Sequence, residues 1–181
     1  TDGTTKYFAN LTSIERDTIP NKANVKEVEI YDSVTSIGEE AFQDCTGLTG
    51  ITIPNSVTSI GTHAFRNCSS LTGISLPDNL TVIDVAAFQE CRSLKNITIP
   101  ANVTSINSFA FAGCPNLTKI TVNAVTPPQL GYYAIPNNIQ RIYVPADSLD
   151  VYKSATNWKD YADWIWAIGY DEQWFVLTGD S

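Results

Sequence analysis

Apolar residues recur along the chain in a fixed order with a period of 23 residues. The stretch "AFQDCTGLTGITIP" (residues 41–54) returns as "AFRNCSSLTGISLP", "AFQECRSLKNITIP" and "AFAGCPNLTKITV". The shared unit reads V-x-x-I-x-x-x-A-F-x-x-C-x-x-L-x-x-I-x-I-P. A unit of this length cannot bury its own apolar face, so the copies are expected to stack on one another.

Within one unit, two patterns predict two kinds of local structure. The segment "LTGITIP" (residues 48–54) contains an Ile-x-Ile alternation, which predicts one short strand per unit. The segment "GEEAFQDC" (residues 38–45) predicts about two turns of helix with Ala and Phe turned inward. Stacking in register then predicts one parallel β-sheet on the concave side of the stack and short helical segments on the convex side.

The ends of the chain carry weaker copies, and together they predict a single domain over residues 1–181. We assign residues 1–33 to a degenerate N-terminal repeat or cap, 34–123 to four 23-residue repeats, 124–145 to a degenerate last repeat and 146–181 to a C-terminal cap. The last repeat, "AVTPPQLGYYAIPNN", has lost both the Phe and the Cys. Terminal repeats that face water are expected to depart from the consensus in this way.

The C-terminal cap is rich in aromatic residues. Asp147 or Ser148 is expected to begin a helix that runs to about Ala155. We expect the helix to cover the last repeat, and we interpret the aromatic cluster after it as an end plug, with a sugar-stacking or partner site as the alternative. The covering residues are Leu149, Val151 and Tyr152, and the cluster is Trp158, Tyr161, Trp164, Ile165 and Trp166.

The repeat over residues 7–145 resembles the BspA-like leucine-rich repeats of bacterial surface proteins, and "VPADSLDVYK" and "NWKDYADWI" resemble the cap of such domains. The resemblance implies a leucine-rich-repeat solenoid of α/β type, wound as a right-handed superhelix. It also implies a secreted or cell-surface protein of gut or oral bacteria, such as Bacteroides-like species, that acts in adhesion. Residues 170–181 match no pattern, and their role is left open.

The four cysteines at 45, 68, 91 and 114 admit several interpretations. Equivalent side chains in stacked coils run parallel into the core, which is poor geometry for a disulfide. Four ligands strung along a solenoid cannot converge on one zinc ion. We therefore predict buried free thiols that act as small apolar side chains. His63, the one histidine, is expected on the surface, which disfavours a catalytic triad.

Charge and composition narrow the range of partners. The formal net charge of −8 opposes binding to nucleic acid or to an anionic membrane. The longest apolar stretch near the C-terminus, "WIWAIG", is far too short to span a bilayer. The chain begins at Thr1, so a signal peptide is expected to have been removed or left out, and we predict an extracellular or cell-surface location.

The sequence contains no common catalytic or nucleotide-binding motif, so we predict a non-enzymatic protein without cofactor or metal. Carboxylate pairs could in principle serve glycoside hydrolysis, but their positions favour solvated charge. An enzymatic role therefore stays the least favoured hypothesis. The pairs are Glu39 with Glu40, Asp147 with Asp150, Asp160 with Asp163, and Asp171 with Glu172.

Side chains that alternate with the inward Ile-x-Ile residues point to the concave side and form the candidate binding face. Six strands make a face of about 25 to 30 Å, enough for about 800 Å² of interface. We expect a monomer that docks a host or bacterial surface protein there, with a glycan as alternative ligand and a structural spacer as alternative function. The candidate residues are Glu27, Glu29, Tyr31, Gly50, Thr52, Ser75, Asn96, Thr98, Lys119, Thr121, Arg141 and Tyr143.

Overall fold

The computed structural model describes the backbone of residues 5–9 and all atoms of residues 11–170. One strand per coil follows the Ile-x-Ile pattern, and all paired neighbours run parallel. These long strands, with the strands that flank them at the two ends, are β1 (Thr5–Ala9), β3 (Val25–Ile30), β5 (Gly50–Thr52), β7 (Gly73–Ser75), β9 (Asn96–Ile99), β11 (Lys119–Val122), β13 (Arg141–Val144) and β14 (Ile165–Ala167). The leucine-rich-repeat solenoid expected from the sequence is confirmed.

The long strands are joined in three hydrogen-bonded groups. β1 pairs with β3, β5 pairs with β7, and β9, β11, β13 and β14 form a four-stranded sheet. β3 lies beside β5, and β7 lies beside β9, so the groups follow one another along a single side of the molecule. We call the exposed side of these strands the long-strand face.

A second parallel sheet, of six two-residue strands, corrects the prediction of one sheet. It forms where the V-x-x-I segments align, for example Ser36 and Ile37 opposite Ser59 and Ile60. Five copies place an Ile in the core and β12 places Leu130 there, so the backbone beside it bonds to the equivalent residues of the next coil. The strands are β2 (Ser13–Ile14), β4 (Ser36–Ile37), β6 (Ser59–Ile60), β8 (Val82–Ile83), β10 (Ser105–Ile106) and β12 (Gln129–Leu130).

The predicted helical segments of the repeats are wrong: the A-F-x-x-C segments form turns. The backbone is left-handed at two positions per coil, such as Glu40 (φ 54°) and Asp44 (φ 64°), and a left-handed residue interrupts an α-helix. The backbone amides bond to the next coil instead, as when Phe42 donates to the carbonyl of Ala64 over 2.7 Å. We call the surface formed by these turns the turn face.

A column of phenylalanines runs through the core behind the turn face. Phe42, Phe65, Phe88 and Phe111 are fully buried, and their ring centres are 4.9, 5.3 and 5.5 Å apart. The rings are nearly parallel, with interplanar angles of 3 to 8°. The 23-residue period therefore places identical side chains in contact with one another.

The four cysteines are free and buried, as expected from the sequence. Three thiols each contact the carbonyl oxygen of a phenylalanine in the preceding coil, with Cys68 Sγ lying 3.2 Å from the Phe42 oxygen. Burial raises the pKa of Cys45 and of Cys114 to about 12. Since the thiolate is the reactive form, these groups are inert at neutral pH.

The cap is partly as expected. A 3₁₀-helix (Ala146–Ser148) leads into helix α1 (Leu149–Ser154), and a second 3₁₀-helix spans Trp158–Trp164. Tyr152 is fully buried, and Leu149 packs against the core. Val151 is 53% exposed, so the prediction that it covers the last coil is wrong, because it lies on the outer side of α1.

The aromatic cluster divides into three environments. Trp158 is buried as an end plug and Tyr161 packs against the core, whereas Trp164 is 41% exposed. Trp166 belongs to strand β14, which extends the long-strand sheet beyond β13. Among the described residues, no helix is long and apolar enough to cross a membrane.

Candidate binding surface

Strand register brings the predicted face residues into rows. Gly50 lies opposite Gly73, and Thr52 lies opposite Ser75. Farther along, Asn96, Lys119 and Arg141 follow one another on β9, β11 and β13, as do Thr98, Thr121 and Tyr143. Most of these residues are exposed, while Thr121, Arg141 and Tyr143 are half-buried. Glu27 and Glu29 are exposed on β3, and Tyr31, which directly follows it, is 41% exposed.

The C-terminal end of the long-strand face is basic and aromatic. The guanidinium carbon of Arg141 lies 5.0 Å from the ring centre of Trp166, a cation–π distance. Trp166 also packs against Tyr170, with ring centres 5.1 Å apart. A pocket of about 310 Å³ next to this group is lined by Lys119, Tyr143 and Tyr170, among others.

Trp166 and Tyr170 were not predicted as face residues. Trp166 was assigned to the end plug because an aromatic-rich segment after a repeat array suggests a cap. The signal that could have located it is the segment "IWAIG", in which Ile165 and Ala167 alternate with Trp166 as in the repeat strands. The pairing of Tyr143 with Trp166 places both on the same face.

The middle of the long-strand face carries almost no side-chain bulk. A Cβ atom added at Gly73 would meet nothing within 4 Å, and one added at Gly50 would meet only a backbone oxygen at 3.9 Å. Neither residue has a positive φ. Packing therefore does not require glycine at either position. The side-chain-poor strip at Gly50 and Gly73 lets a partner approach the backbone closely.

The N-terminal end is acidic. A pocket of about 610 Å³ lies between β3 and β5 and is lined by Glu27, Glu29, Thr52 and Pro54, among others. The carboxylates at this end and the cations Lys119 and Arg141 at the other give the face opposite charges at its two ends.

One group outside the long-strand face has metal-ligating side chains. Ligand atoms of Glu39, Glu40 and His63 lie within 4.8 Å of one another. However, Nη2 of Arg16 lies 2.9 Å from a Glu40 carboxylate oxygen and 3.5 Å from one of Glu39. The positive charge of Arg16 thus already compensates the negative charges of these two carboxylates. We therefore assign the group a structural role.

Two other carboxylate pairs lie within the described residues, and both are in the cap. Asp147, Asp150, Asp160 and Asp163 are all exposed. His63 is half-buried rather than fully solvated. The pair Asp171 and Glu172 lies outside the described residues.

Stacked 23-residue coils, an Ile-x-Ile strand in each coil and a continuous exposed strand face define a leucine-rich-repeat solenoid. A family model described as "BspA type Leucine rich repeat region" matches six copies over residues 12–141. The chain belongs to the BspA-type leucine-rich repeat family. A search of curated proteins found no match. Leucine-rich repeat domains of this kind are interaction or display modules.

Solved structures of bacterial leucine-rich repeat proteins share the fold. A protein of T. pallidum is 24% identical with a TM-score of 0.63, covering 78% of this chain and 74% of its own. One from Bacteroides ovatus is 23% identical with a TM-score of 0.57, covering 74% and 47%. A leucine-rich cell surface protein of Faecalibacterium prausnitzii is 27% identical with a TM-score of 0.51, covering 99% and 37%. The chain therefore spans less than half the length of the latter two proteins.

Proposed function

We propose that this domain is a non-enzymatic, extracellular binding module of a bacterial cell-surface protein, and that it docks a protein ligand on its long-strand face. Membership of the BspA-type family supports an interaction role. The similar protein of F. prausnitzii is described as a cell surface protein, which supports the location. The core residues repeat from coil to coil, whereas exposed residues of the long-strand face differ between copies, as at Gly50, Asn96 and Lys119.

The observation that carries this proposal is the basic and aromatic end of the face. Arg141 is held over Trp166. Tyr143 follows Arg141 on the same strand with Ile142 between them, so both side chains lie on the same face. Tyr, Trp and Arg are the residue types that most often dominate protein–protein binding energies. Their half-burial fixes the side chains before binding, so less conformational entropy is lost when a partner docks.

The charge distribution favours a partner with complementary charges at two ends. Glu27 and Glu29 would attract a basic segment, and Lys119 with Arg141 an acidic one. A host or bacterial surface protein fits this requirement better than nucleic acid, because the net charge of −8 repels a phosphate backbone. The domain is proposed to act as a monomer, and a glycan is the alternative ligand of this face.

The test is to block the face without altering the core. Gly73→Arg adds bulk at an open position in the middle of the face, and Thr58→Arg introduces the same side chain at the exposed position directly before β6 of the second sheet. Binding of purified extracellular matrix proteins would be measured by surface plasmon resonance. We expect Gly73→Arg to weaken binding at least about tenfold, equivalent to ~1.4 kcal/mol, and Thr58→Arg to leave it unchanged.

A second variant tests the face by removal of contacts at both of its ends. Combined replacement of Tyr31, Arg141 and Tyr143 by Ala removes three large side chains without adding bulk. An unchanged binding profile in both this variant and Gly73→Arg would exclude the long-strand face as the docking site. Urea denaturation of each variant shows whether the fold is kept.

A structural spacer or display domain is the second candidate function. The side-chain-poor strip at Gly50 and Gly73 favours it, because a surface selected for binding rarely lacks anchoring side chains at its centre. The two functions differ in one measurement. A spacer can be replaced within the full-length surface protein by an unrelated rigid domain of equal length without loss of adhesion, whereas a binding module cannot.

A further inference from the structure

A groove of about 620 Å³ lies on the turn face, between the coil that contains Cys114 and the last coil. None of the residues lining it lies on the long-strand face. Its volume falls within the range of small-molecule sites, about 300–1,000 Å³. The groove is therefore separate from the surface used in the proposed function.

The groove exists because the turn of the last coil is two residues shorter than the A-F-x-x-C turns of the complete coils. Leu117 N–H donates to the Cys114 carbonyl, and Ile139 N–H donates in the same way to Pro136, so Pro136 stands in the cysteine position. Phe111 N–H donates to the Ala134 carbonyl, which places Ile135 in the phenylalanine position. Two residues separate Phe from Cys in the complete coils, and none separates Ile135 from Pro136. The edge of the Cys114 coil is thus left uncovered.

A second departure from the repeat lies in the lining of the same groove. The second left-handed position of the turn is occupied by Asp44, Asn67 and Glu90 in the first three cysteine coils, and by Gly113 in the fourth. Gly113 has φ 71°, and a Cβ added there would lie 3.0 Å from Cγ of Glu90. The shortened turn and the missing side chain therefore border the same groove.

Aromatic rings border the groove. Phe109 and Tyr133 line it, with ring centres 5.9 Å apart and a tilt of 30°. Tyr132 packs on Tyr133 at 4.1 Å, and a hydrogen bond to Tyr133 raises the pKa of Tyr132. The three side chains are 39 to 66% exposed. Contiguous exposed apolar side chains are typical of ligand-binding grooves and interaction sites.

Phe109 is held in an unusual conformation. Its φ is 61°, in the left-handed region that bulky residues rarely adopt. The equivalent residues of the other cysteine coils are Glu40, His63 and Ala86, so this coil alone of the four presents a phenyl ring there. The repeat fixes this backbone conformation in each cysteine coil, and in this coil the fixed position carries an exposed ring that lines the groove.

Polar side chains line the same groove. Nη2 of Arg92 lies 3.0 Å from Oε2 of Glu90, and both residues are in the lining. Asn138 donates its amide to the carbonyls of Pro115 and Leu117 at 3.0 and 2.9 Å, which fixes its orientation. The groove thus contains a carboxylate that accepts and a guanidinium that donates, in addition to the aromatic rings.

We propose that this groove binds a pyranose unit of a carbohydrate chain. One face of a pyranose ring carries C–H groups, which are attracted to the negative face of an aromatic ring. Its hydroxyl groups both donate and accept hydrogen bonds, which matches the Glu90–Arg92 pair. A nucleotide would also stack on Phe109 or Tyr133, but the Glu90–Arg92 pair leaves no uncompensated positive charge for its phosphate, and the net charge of −8 opposes it.

The experiment is isothermal titration of the whole domain with short oligosaccharides of glucose, xylose, mannose and N-acetylglucosamine. We expect at least one of them to bind with a Kd of about 1 mM or tighter. Tyr133→Ala removes a stacking ring, and Gly113→Asn restores a side chain found at this position in another coil. Each is expected to weaken binding at least about tenfold.

The controls separate the groove from the rest of the surface. Gly113→Asn introduces a residue type that the left-handed position already holds at Asn67, and the Glu90 side chain must shift slightly to admit its Cβ. Urea denaturation of this variant shows whether the fold is kept. Val151→Ala removes an exposed apolar side chain of α1, which lines neither the groove nor the long-strand face, and should leave oligosaccharide binding unchanged. The absence of binding to every oligosaccharide would overturn the proposal, as would binding that survives both groove variants. Self-association in sedimentation velocity that Tyr133→Ala abolishes would also overturn it, by assigning the groove to a second copy of the chain.

Discussion

The central coils and the C-terminal end bury their aromatic residues in opposite ways. In the centre, Phe65 stacks between Phe42 and Phe88, and the rings need no polar partner. At the end, Tyr152 and Trp158 meet edge to face, with ring centres 5.1 Å apart. There the next coil is missing, so polar aromatic side chains close the core.

The difference follows from the backbone groups that the neighbouring coils leave without hydrogen-bond partners in each region. A central coil bonds its backbone to identical coils on both sides. The last coil has carbonyls that no further coil can satisfy, and side chains of the cap donate to them. Tyr152 Oη donates to Ala124, and Trp158 Nε1 donates to Pro128, each over 2.7 Å. An end plug therefore needs amphipathic rings, whereas a repeat needs only apolar ones.

The largest effect is expected at the end plug. Trp158→Ala leaves a cavity and an unsatisfied carbonyl at Pro128, so we expect a loss of about 3–5 kcal/mol in the free energy of unfolding. Trp164→Ala, at an exposed position of the same segment, should change it by less than about 0.5 kcal/mol. Urea denaturation followed by circular dichroism measures both. Equal losses would mean that Trp158 does not close the core.

A smaller effect on the free energy of unfolding is expected in the phenylalanine column, where two positions can be compared. Phe65→Leu removes ring contacts on two sides, and Phe111→Leu removes them on one side, since Ile135 replaces the next ring. Each stacked pair contributes about 0.5–1.5 kcal/mol beyond burial. We expect Phe65→Leu to cost about 1 kcal/mol more than Phe111→Leu in chemical denaturation. The reverse order would show that stacking between repeats adds nothing to burial.

The smallest expected effect is the contribution of the buried thiols to the pH dependence of stability. Burial raises the pKa of Cys45 from 9.0 to about 12, so the folded state keeps a proton that the unfolded state loses above pH 9.0. Stability therefore falls as the pH rises from 9.0 towards 12. Between about pH 8 and pH 9.5 each thiol should account for somewhat less than about 1 kcal/mol.

The matched variant for the thiols is Cys45→Ala, which removes one titrating group from the centre of the molecule. Its unfolding midpoint in urea, measured across this pH range, should fall less steeply than that of the unchanged protein. Identical slopes would show that Cys45 is accessible to solvent in the folded state. Slow labelling of the native protein by a thiol reagent at neutral pH, compared with rapid labelling in urea, checks the same burial independently.

Much of the fold could be predicted because each core position recurs in an equivalent environment. Phe42, Cys45, Leu48 and Ile51 are buried, as the period indicated. The turns could not be predicted, because Glu40 and Ala86 adopt left-handed φ without being Gly or Asn, the residues that signal it. Their conformation is imposed by hydrogen bonds to the next coil, which a single unit does not contain.

The candidate site was predicted only where it follows the strand pattern. Alternation along the strands placed Lys119, Arg141 and Tyr143 on one face, and strand register confirms that placement. Trp166 joins them through the pairing of β13 with β14, whose partner residues are more than 20 positions apart in the chain. The groove beside Gly113 depends on a shortened turn in a different coil, so no local motif could indicate it.

The sequence by itself determined the period, the inward residues, the strand in each coil and the loss of Phe and Cys in the last coil. These features depend only on which side chains avoid water and how often they recur. The tertiary structure decided that the A-F-x-x-C segments are turns, that a second sheet lines the coils and that a groove opens beside Gly113. Each of these arises from contacts between neighbouring coils, where backbone hydrogen bonds and the fit of one turn against the next select the conformation.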